Sequence, residues 1–76
     1  MNISEAMKFK TKIQTDCGID AKMLDTAEDG IILCVERKTL DAASYKLLAD
    51  FAAEHQLSMQ LGSGNFIIST HTLSAQ

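Results

Sequence analysis

The residues best suited to nucleophilic chemistry are Cys34, Glu36 and His71, which fall in two apolar segments. A thiolate nucleophile needs a base within hydrogen-bond reach, and a carboxylate can orient the imidazole that serves as that base. The three side chains can meet only if the two segments are neighbours in a sheet. No local motif supplies an oxyanion hole, and a chain this short leaves little volume for a substrate pocket. We therefore rank a small thiol-dependent enzyme third among the functional interpretations and predict no catalytic residue.

Metal binding is disfavoured by the spacing of the candidate ligands. Cys17, Cys34, His55 and His71 are far apart in the chain, and none forms a CxxC or HxxxH pair. Structural zinc sites usually show such closely spaced pairs. His55 has a simpler interpretation at the end of a helix, where an imidazole interacts favourably with the free carbonyls and the helix dipole. We predict no metal site and no cofactor.

The segment QLGSGNFIISTH, residues 60–71, contains two glycines around Ser63, as phosphate-binding loops do. A phosphate-binding loop leads from a strand into a helix, whose N-terminus faces the anion. Here the glycines lead into Phe66, Ile67 and Ile68, which are typical of a strand. The segment therefore predicts a tight hairpin turn in which Gly62 and Gly64, with Asn65, supply positive φ angles.

Lys8, Lys10 and Lys12 form the basic cluster that could contact nucleic acid. On a helix Lys8 and Lys12 lie on the solvent side, whereas Lys10 points toward the core side and must extend outward. The net charge of -3 and pI near 5.1 provide no general attraction for a phosphate backbone. A nucleic-acid-binding module that uses this face is the second interpretation, and a solvated helix face is the simpler one.

The composition indicates one small folded domain that spans residues 1–76. The chain has 46% hydrophobic and 22% charged residues, which is ordinary for a globular protein. Its longest apolar run, residues 31–35, is too short to cross a bilayer. The start has no secretory signal pattern, so we expect a cytoplasmic protein with two free thiols and no membrane partner.

Two helices are predicted to position these residues. Residues 39–56 place apolar side chains on one side at helical spacing, and Thr39 or Asp41 could cap the start. Residues 3–17 alternate lysines with apolar residues as an edge strand would. Asn2 with Glu5 reads as a capping box and Gly18 as a helix end, so we favour a helix there and keep the edge strand as the alternative.

Each helix is followed by an alternating segment and then by a denser apolar one, which predicts an edge strand and a central strand. A shift of 38 residues superposes the two αββ patterns, so the chain reads as a weak pseudo-repeat. We predict an α+β two-layer sandwich of αββαββ order, with both helices on one face of a four-stranded sheet. Segments 31–37 and 66–72 are its central strands. The order resembles a circularly permuted ferredoxin-like fold in topology alone, which implies no function.

The sheet face without helices, called the open face below, is where a function is expected. Alternation places Ile31, Leu33 and Val35 inward and gives the open face six residues from the central strands. Lys22, Leu24, Ser58 and Gln60 are expected at its edges. Exposed apolar residues with a polar rim commonly mark protein contacts. We therefore predict a non-enzymatic protein-interaction or regulatory module that binds a second copy of itself, as a homodimer, or an unknown protein partner. The predicted surface consists of Ile32, Cys34, Glu36, Ile67, Ser69 and His71.

Overall fold

The computed structural model describes residues 1–27 and 30–70. This part of the chain contains two helices, four strands and one turn of 3₁₀ helix at Arg37–Thr39. In chain order the helices and strands are α1 (Ile3–Cys17), β1 (Lys22–Thr26), β2 (Gly30–Glu36), α2 (Ala42–Glu54), β3 (Ser58–Leu61) and β4 (Asn65–Ser69).

Helix α1 begins and ends at the residues that its capping signals indicate. The side chain of Asn2 accepts a hydrogen bond from the Glu5 amide at 2.8 Å, and the Glu5 carboxylate accepts one from the Asn2 amide at 3.3 Å. Gly18 ends the helix with φ of 68° and donates its amide to the Gln14 carbonyl at 3.1 Å. These contacts satisfy main-chain groups that a helix end leaves free, so the helical interpretation of this segment is confirmed.

Helix α2 starts later than the apolar pattern suggests. Asp41 is its N-cap and accepts a hydrogen bond from the Ser44 amide at 2.7 Å. The preceding residues form the 3₁₀ turn, in which the Thr39 hydroxyl donates to the Glu36 carbonyl at 2.8 Å. Asp41 therefore caps the helix, and Thr39 closes the turn before it.

The four strands form one antiparallel sheet in the order β1, β2, β4, β3. The two denser apolar segments are thus its central strands, as predicted. Leu33 lies opposite Ile68 and Val35 opposite Phe66, so these residues share one face. This register confirms that the larger set of β2 side chains points toward the helices.

One core lies between the sheet and the two helices. Fully buried side chains from α1, α2, β2 and β4 meet there, including Ile13, Leu48, Leu33 and Ile68. Helix α1 packs on β1 and β2, and α2 packs on β3. The architecture is therefore an α+β sandwich, with the α1 half of the helical layer above the β1 edge of the sheet.

The turn between β3 and β4 differs in detail from the predicted one. Gly64 has φ of 80°, but neither Gly62 nor Asn65 has a positive φ. An added Cβ at Gly62 would lie 2.9 Å from Cδ1 of Ile67, which is the end of a flexible side chain and can shift. Backbone conformation therefore explains the glycine at position 64, and no comparable requirement is evident at position 62.

Candidate interaction site

The register places the predicted interaction residues on one face, with His71 outside the described residues. Cys34 lies opposite Lys22 on β1 and opposite Ile67 on β4. Leu24 lies opposite Ile32, and the β2–β4 register continued by one residue brings Ser69 to the other side of Ile32. The two central strands thus contribute Ile32, Cys34, Ile67 and Ser69 to the open face.

The centre of this face is less accessible than its sequence suggests. Ile32 is 3% exposed and Ser69 is 1% exposed, whereas Cys34 and Ile67 are half-buried. Glu36 is exposed at the end of β2. The expectation that Ile32 forms the exposed centre of a contact surface is therefore wrong. Cys34 and Ile67 lie on the same face of the same two central strands and remain half-buried, so a central position in the sheet does not by itself bury a residue.

The accessible apolar side chain on the open face is Leu24, which is 52% exposed. It lies in the middle of β1, an edge strand whose other side pairs with no strand of the described chain. Met23 precedes it, points to the helical side and is also exposed. The alternation of this segment indicated an edge strand, but Leu24 was placed only at the margin of the predicted surface.

Helix α1 has two further exposed apolar side chains. Phe9 packs toward α2, with its ring 6.2 Å from that of Phe51. At 100° per residue, Ile3 and Met7 lie about 120° and 160° around the helix from Phe9, on the flank away from α2. Both are more than half exposed. We call Ile3, Met7, Met23 and Leu24 the β1-edge patch, in which Leu24 lies on the open face and Met23 on the helical side of the sheet.

Lys10 marks the border between this flank and the core. Its ammonium lies 3.6 Å from the carboxylate of Asp20, just before β1. The contact explains how a lysine near the core side of α1 is accommodated, because the side chain extends to an acidic partner. Lys8 and Lys12 are exposed on the solvent side as expected, and the Lys8 ammonium lies 5.9 Å from the centre of the Phe9 ring.

Charges at the end of the open face are mixed in sign. The Glu36 carboxylate lies 4.0 Å from the Lys22 ammonium and 3.8 Å from that of Lys38. Such exposed pairs contribute little to stability because solvent screens them. One carboxylate faces two ammonium groups, and the exposed Arg37 lies between Glu36 and Lys38 in the chain, so these four residues together carry a positive charge.

A cleft of about 800 Å³ lies beside β1 and the end of β2. Its walls are the chain before β1, the 3₁₀ turn and the start of α2. Cys34 and Glu36 line it, but no histidine is among the described residues that do so. The cleft therefore lacks the base that a nucleophilic cysteine requires within the described part of the chain.

The two cysteines are free and half-buried. Burial raises the pKa of the Cys34 thiol above its ordinary value. Burial also raises the pKa of Cys17, with a smaller contribution from the Asp16 carboxylate, and the Cys17 thiol donates to the Leu47 carbonyl across 3.7 Å. A raised pKa lowers the thiolate fraction at neutral pH, which makes both thiols poor nucleophiles.

His55 belongs to an aromatic cluster between the two helices. Its ring lies 4.3 Å from that of Phe51 and 5.5 Å from that of Phe9. The residue caps the end of α2, and its amide donates to the Phe51 carbonyl. Across residues 1–27 and 30–70, no group of three histidine, cysteine or acidic side chains is arranged to hold a metal ion.

Comparison with known proteins provides no guide to function: no protein-family model matches this chain, and no curated protein or solved structure matches it either. Neither helix in the described part of the chain has the length and apolar character to cross a membrane.

Proposed function

We propose that this protein is a non-enzymatic interaction module that associates with a second copy of itself. The observation that supports the proposal most directly is the exposure of Leu24, an apolar side chain in the middle of an edge strand of the described sheet. Burial of apolar surface is the main favourable contribution to protein association. An exposed leucine on an edge strand can contribute apolar area to such a contact.

The distribution of exposed apolar side chains supports the same proposal. Among the described residues, seven large apolar side chains are exposed: Ile3, Met7, Met23, Leu24, Tyr45, Leu47 and Leu61. Four of these form the β1-edge patch, whereas the other three belong to α2 and to the end of β3. Single exposed apolar residues are normal on a protein surface, but a group at one edge is typical of a contact site.

The size of the domain gives self-association a thermodynamic advantage. A chain of 76 residues buries a smaller fraction of its surface than a large domain does, and its core is correspondingly small. Small domains commonly gain stability from oligomerisation, because an interface buries additional apolar area. The half-buried Cys34 and Ile67 adjoin the patch across the open face, so the contact surface is proposed to extend toward them.

Sedimentation equilibrium of the complete chain over a hundredfold range of concentration tests this function. We expect the weight-average mass to rise from 8.3 kDa toward twice that value. A constant monomer mass up to millimolar concentration contradicts the proposal. The measurement is made with a reducing agent present, so that a disulfide between chains cannot imitate association.

A further inference from the structure

We infer that the cleft beside β1 and the 3₁₀ turn binds a small amphipathic anion, in which a carboxylate or phosphate group is attached to an apolar body. The anionic group contacts Arg37 and Lys38 on the turn, and the apolar body lies along the apolar side chains of the cleft. The site is independent of the proposed self-association, because neither of these cations belongs to the β1-edge patch.

The cleft has the size and the apolar surface that such a ligand requires. Its volume of about 800 Å³ lies within the range of small-molecule sites, which is about 300–1,000 Å³. The half-buried Leu40 and Cys34 and the exposed Leu24 line it. Their side chains come from the start of the helical layer and from two strands of the sheet. A ligand with an apolar body can therefore bury apolar surface there.

Positive charge is concentrated at this cleft although the chain as a whole is acidic. Three of the seven basic residues of the sequence line the cleft, together with two of its ten acidic residues. Of the two acidic residues, Asp20 already has a basic partner, because its carboxylate lies 3.6 Å from the Lys10 ammonium. The carboxylate of Glu36 is therefore left to compensate three cations, and an anionic ligand supplies the missing negative charge.

The contacts of these cations leave their hydrogen-bond donors available to a ligand. Charge-assisted hydrogen bonds usually span about 2.7–2.9 Å, whereas Lys22 and Lys38 lie 4.0 Å and 3.8 Å from the Glu36 carboxylate. The Arg37 side chain is exposed and has no ion-pair partner within residues 1–27 and 30–70. A guanidinium can form two parallel hydrogen bonds with a carboxylate or a phosphate, which makes Arg37 the main contact.

The turn that carries Arg37 and Lys38 is held in place before any ligand binds. The Arg37 amide donates to the Gly64 carbonyl at 3.1 Å, which fixes the turn to the start of β4. The Leu40 amide donates to the Arg37 carbonyl at 3.1 Å, and the Thr39 hydroxyl closes the turn as described above. A prearranged main chain reduces the conformational entropy that is lost when the two cations bind an anion.

Titration of the isotope-labelled wild-type chain with phenyl phosphate, followed by two-dimensional NMR, tests this assignment. We expect saturable shifts of the amides of residues 18–20, 37–40 and 64–65 at about 10 mM ligand or less. Benzoate is titrated in parallel, and the tighter of the two ligands identifies the preferred anionic group. Benzyl alcohol lacks the charge and inorganic phosphate lacks the ring, so each should bind at least about fivefold more weakly. Equal binding of either one, or shifts that do not saturate, would overturn the assignment.

Two double variants that remove equal charge separate a specific site from an effect of net charge. Arg37→Gln with Lys38→Gln should raise the Kd for phenyl phosphate by at least about tenfold, because both contacts to the anion are lost. Lys8→Gln with Lys12→Gln is the matched control, since both lysines are exposed on α1 away from the cleft, and should change the Kd by less than about twofold. Equal increases would contradict a specific site. Circular dichroism verifies the fold, and if the first variant does not fold, Lys38→Gln against Lys8→Gln makes the same comparison.

Discussion

Leu24 and Ile32 lie directly opposite each other on neighbouring strands and on the same face of the sheet, yet Leu24 is 52% exposed and Ile32 is 3% exposed. The two residues also differ in their places in the sheet. Ile32 is on a central strand with neighbours on both sides, whereas Leu24 is on an edge strand with a neighbour on one side only. An apolar residue at the first position stabilises the fold, and one at the second remains available for association.

Substitution of the two residues is expected to separate these roles. Ile32→Ala removes buried methyl groups and should lower the free energy of unfolding by about 2–5 kcal/mol. Leu24→Ala should change it by about 0.5 kcal/mol or less in dilute solution, where association does not contribute. Urea denaturation measured at the lowest practical concentration checks both values. Similar losses for the two variants would show that Leu24 is a core residue instead.

The reactivity of the two thiols provides a test against enzymatic cysteine chemistry. Because burial raises the pKa of Cys34, its alkylation by iodoacetamide at pH 7 should be slower than that of an unfolded control peptide. The rate should increase as pH rises above the ordinary thiol value of 9.0. Mass spectrometry of labelled peptides distinguishes Cys34 from Cys17. Rapid labelling of Cys34 at neutral pH would restore the thiol-enzyme interpretation.

The raised pKa of the Cys34 thiol also makes the stability of the fold depend on pH. A thiol whose pKa is higher in the folded chain favours folding while it is protonated, so its contribution is complete below the unfolded pKa. The contribution is lost as pH rises through the folded pKa. We therefore expect the unfolding temperature to fall above about pH 9, and Cys34→Ser should reduce that pH dependence. An unchanged pH dependence in this variant would assign the effect to other groups.

The capping box of α1 is expected to contribute measurably to the stability of the domain. Asn2→Ala removes the side chain that accepts the Glu5 amide and should cost about 1 kcal/mol. Ser4→Ala is the control, because Ser4 is exposed in the first turn of the helix. Alanine has a higher helix propensity than serine, so this substitution should not lower the stability. Thermal denaturation of the two variants and of the wild-type chain measures the loss of stability in each. A Ser4→Ala loss as large as that of Asn2→Ala would argue against a specific cap.

The turn between β3 and β4 should depend on Gly64 for conformational reasons. An added Cβ at this residue would contact no atom within 4 Å, but its φ of 80° is unfavourable for other residues. Gly64→Ala should therefore cost about 1–2 kcal/mol, because of the left-handed backbone. Ser63→Ala, at an exposed neighbouring position, should be close to neutral. Chemical denaturation provides the measurement, and equal effects would contradict the conformational explanation.

Much of the fold can be predicted from local signals in the sequence. Asn2, Glu5 and Gly18 define α1 correctly, because caps are interactions between residues close in the chain. The predicted helix at 39–56 is longer than α2, because Thr39 belongs to the 3₁₀ turn, Asp41 is the N-cap of the helix and His55 is its C-cap. The strand predicted at 66–72 begins one residue earlier in the structure and ends at Ser69, while residues 71–76 lie outside the described chain.

Accessibility on the open face could not be predicted in the same way. Alternation assigns Ile32, Cys34 and Ile67 to a face correctly, since successive side chains on a strand point in opposite directions. It does not indicate how much solvent reaches each one. The same limit applies to Ile3, which has the helical spacing of a core residue but is exposed because it lies on the flank of α1 away from α2.

The sequence by itself determined the types and order of the elements, the inward set of β2 side chains and the two central strands, because periodicity and capping act over a few residues. The tertiary structure decided which residues on the open face are buried, which acidic partner Lys10 reaches and where the exposed apolar residues gather. These properties depend on contacts between distant segments. The position of β1 at the edge, beneath the free flank of α1, is the result of such contacts and supports the proposed interface.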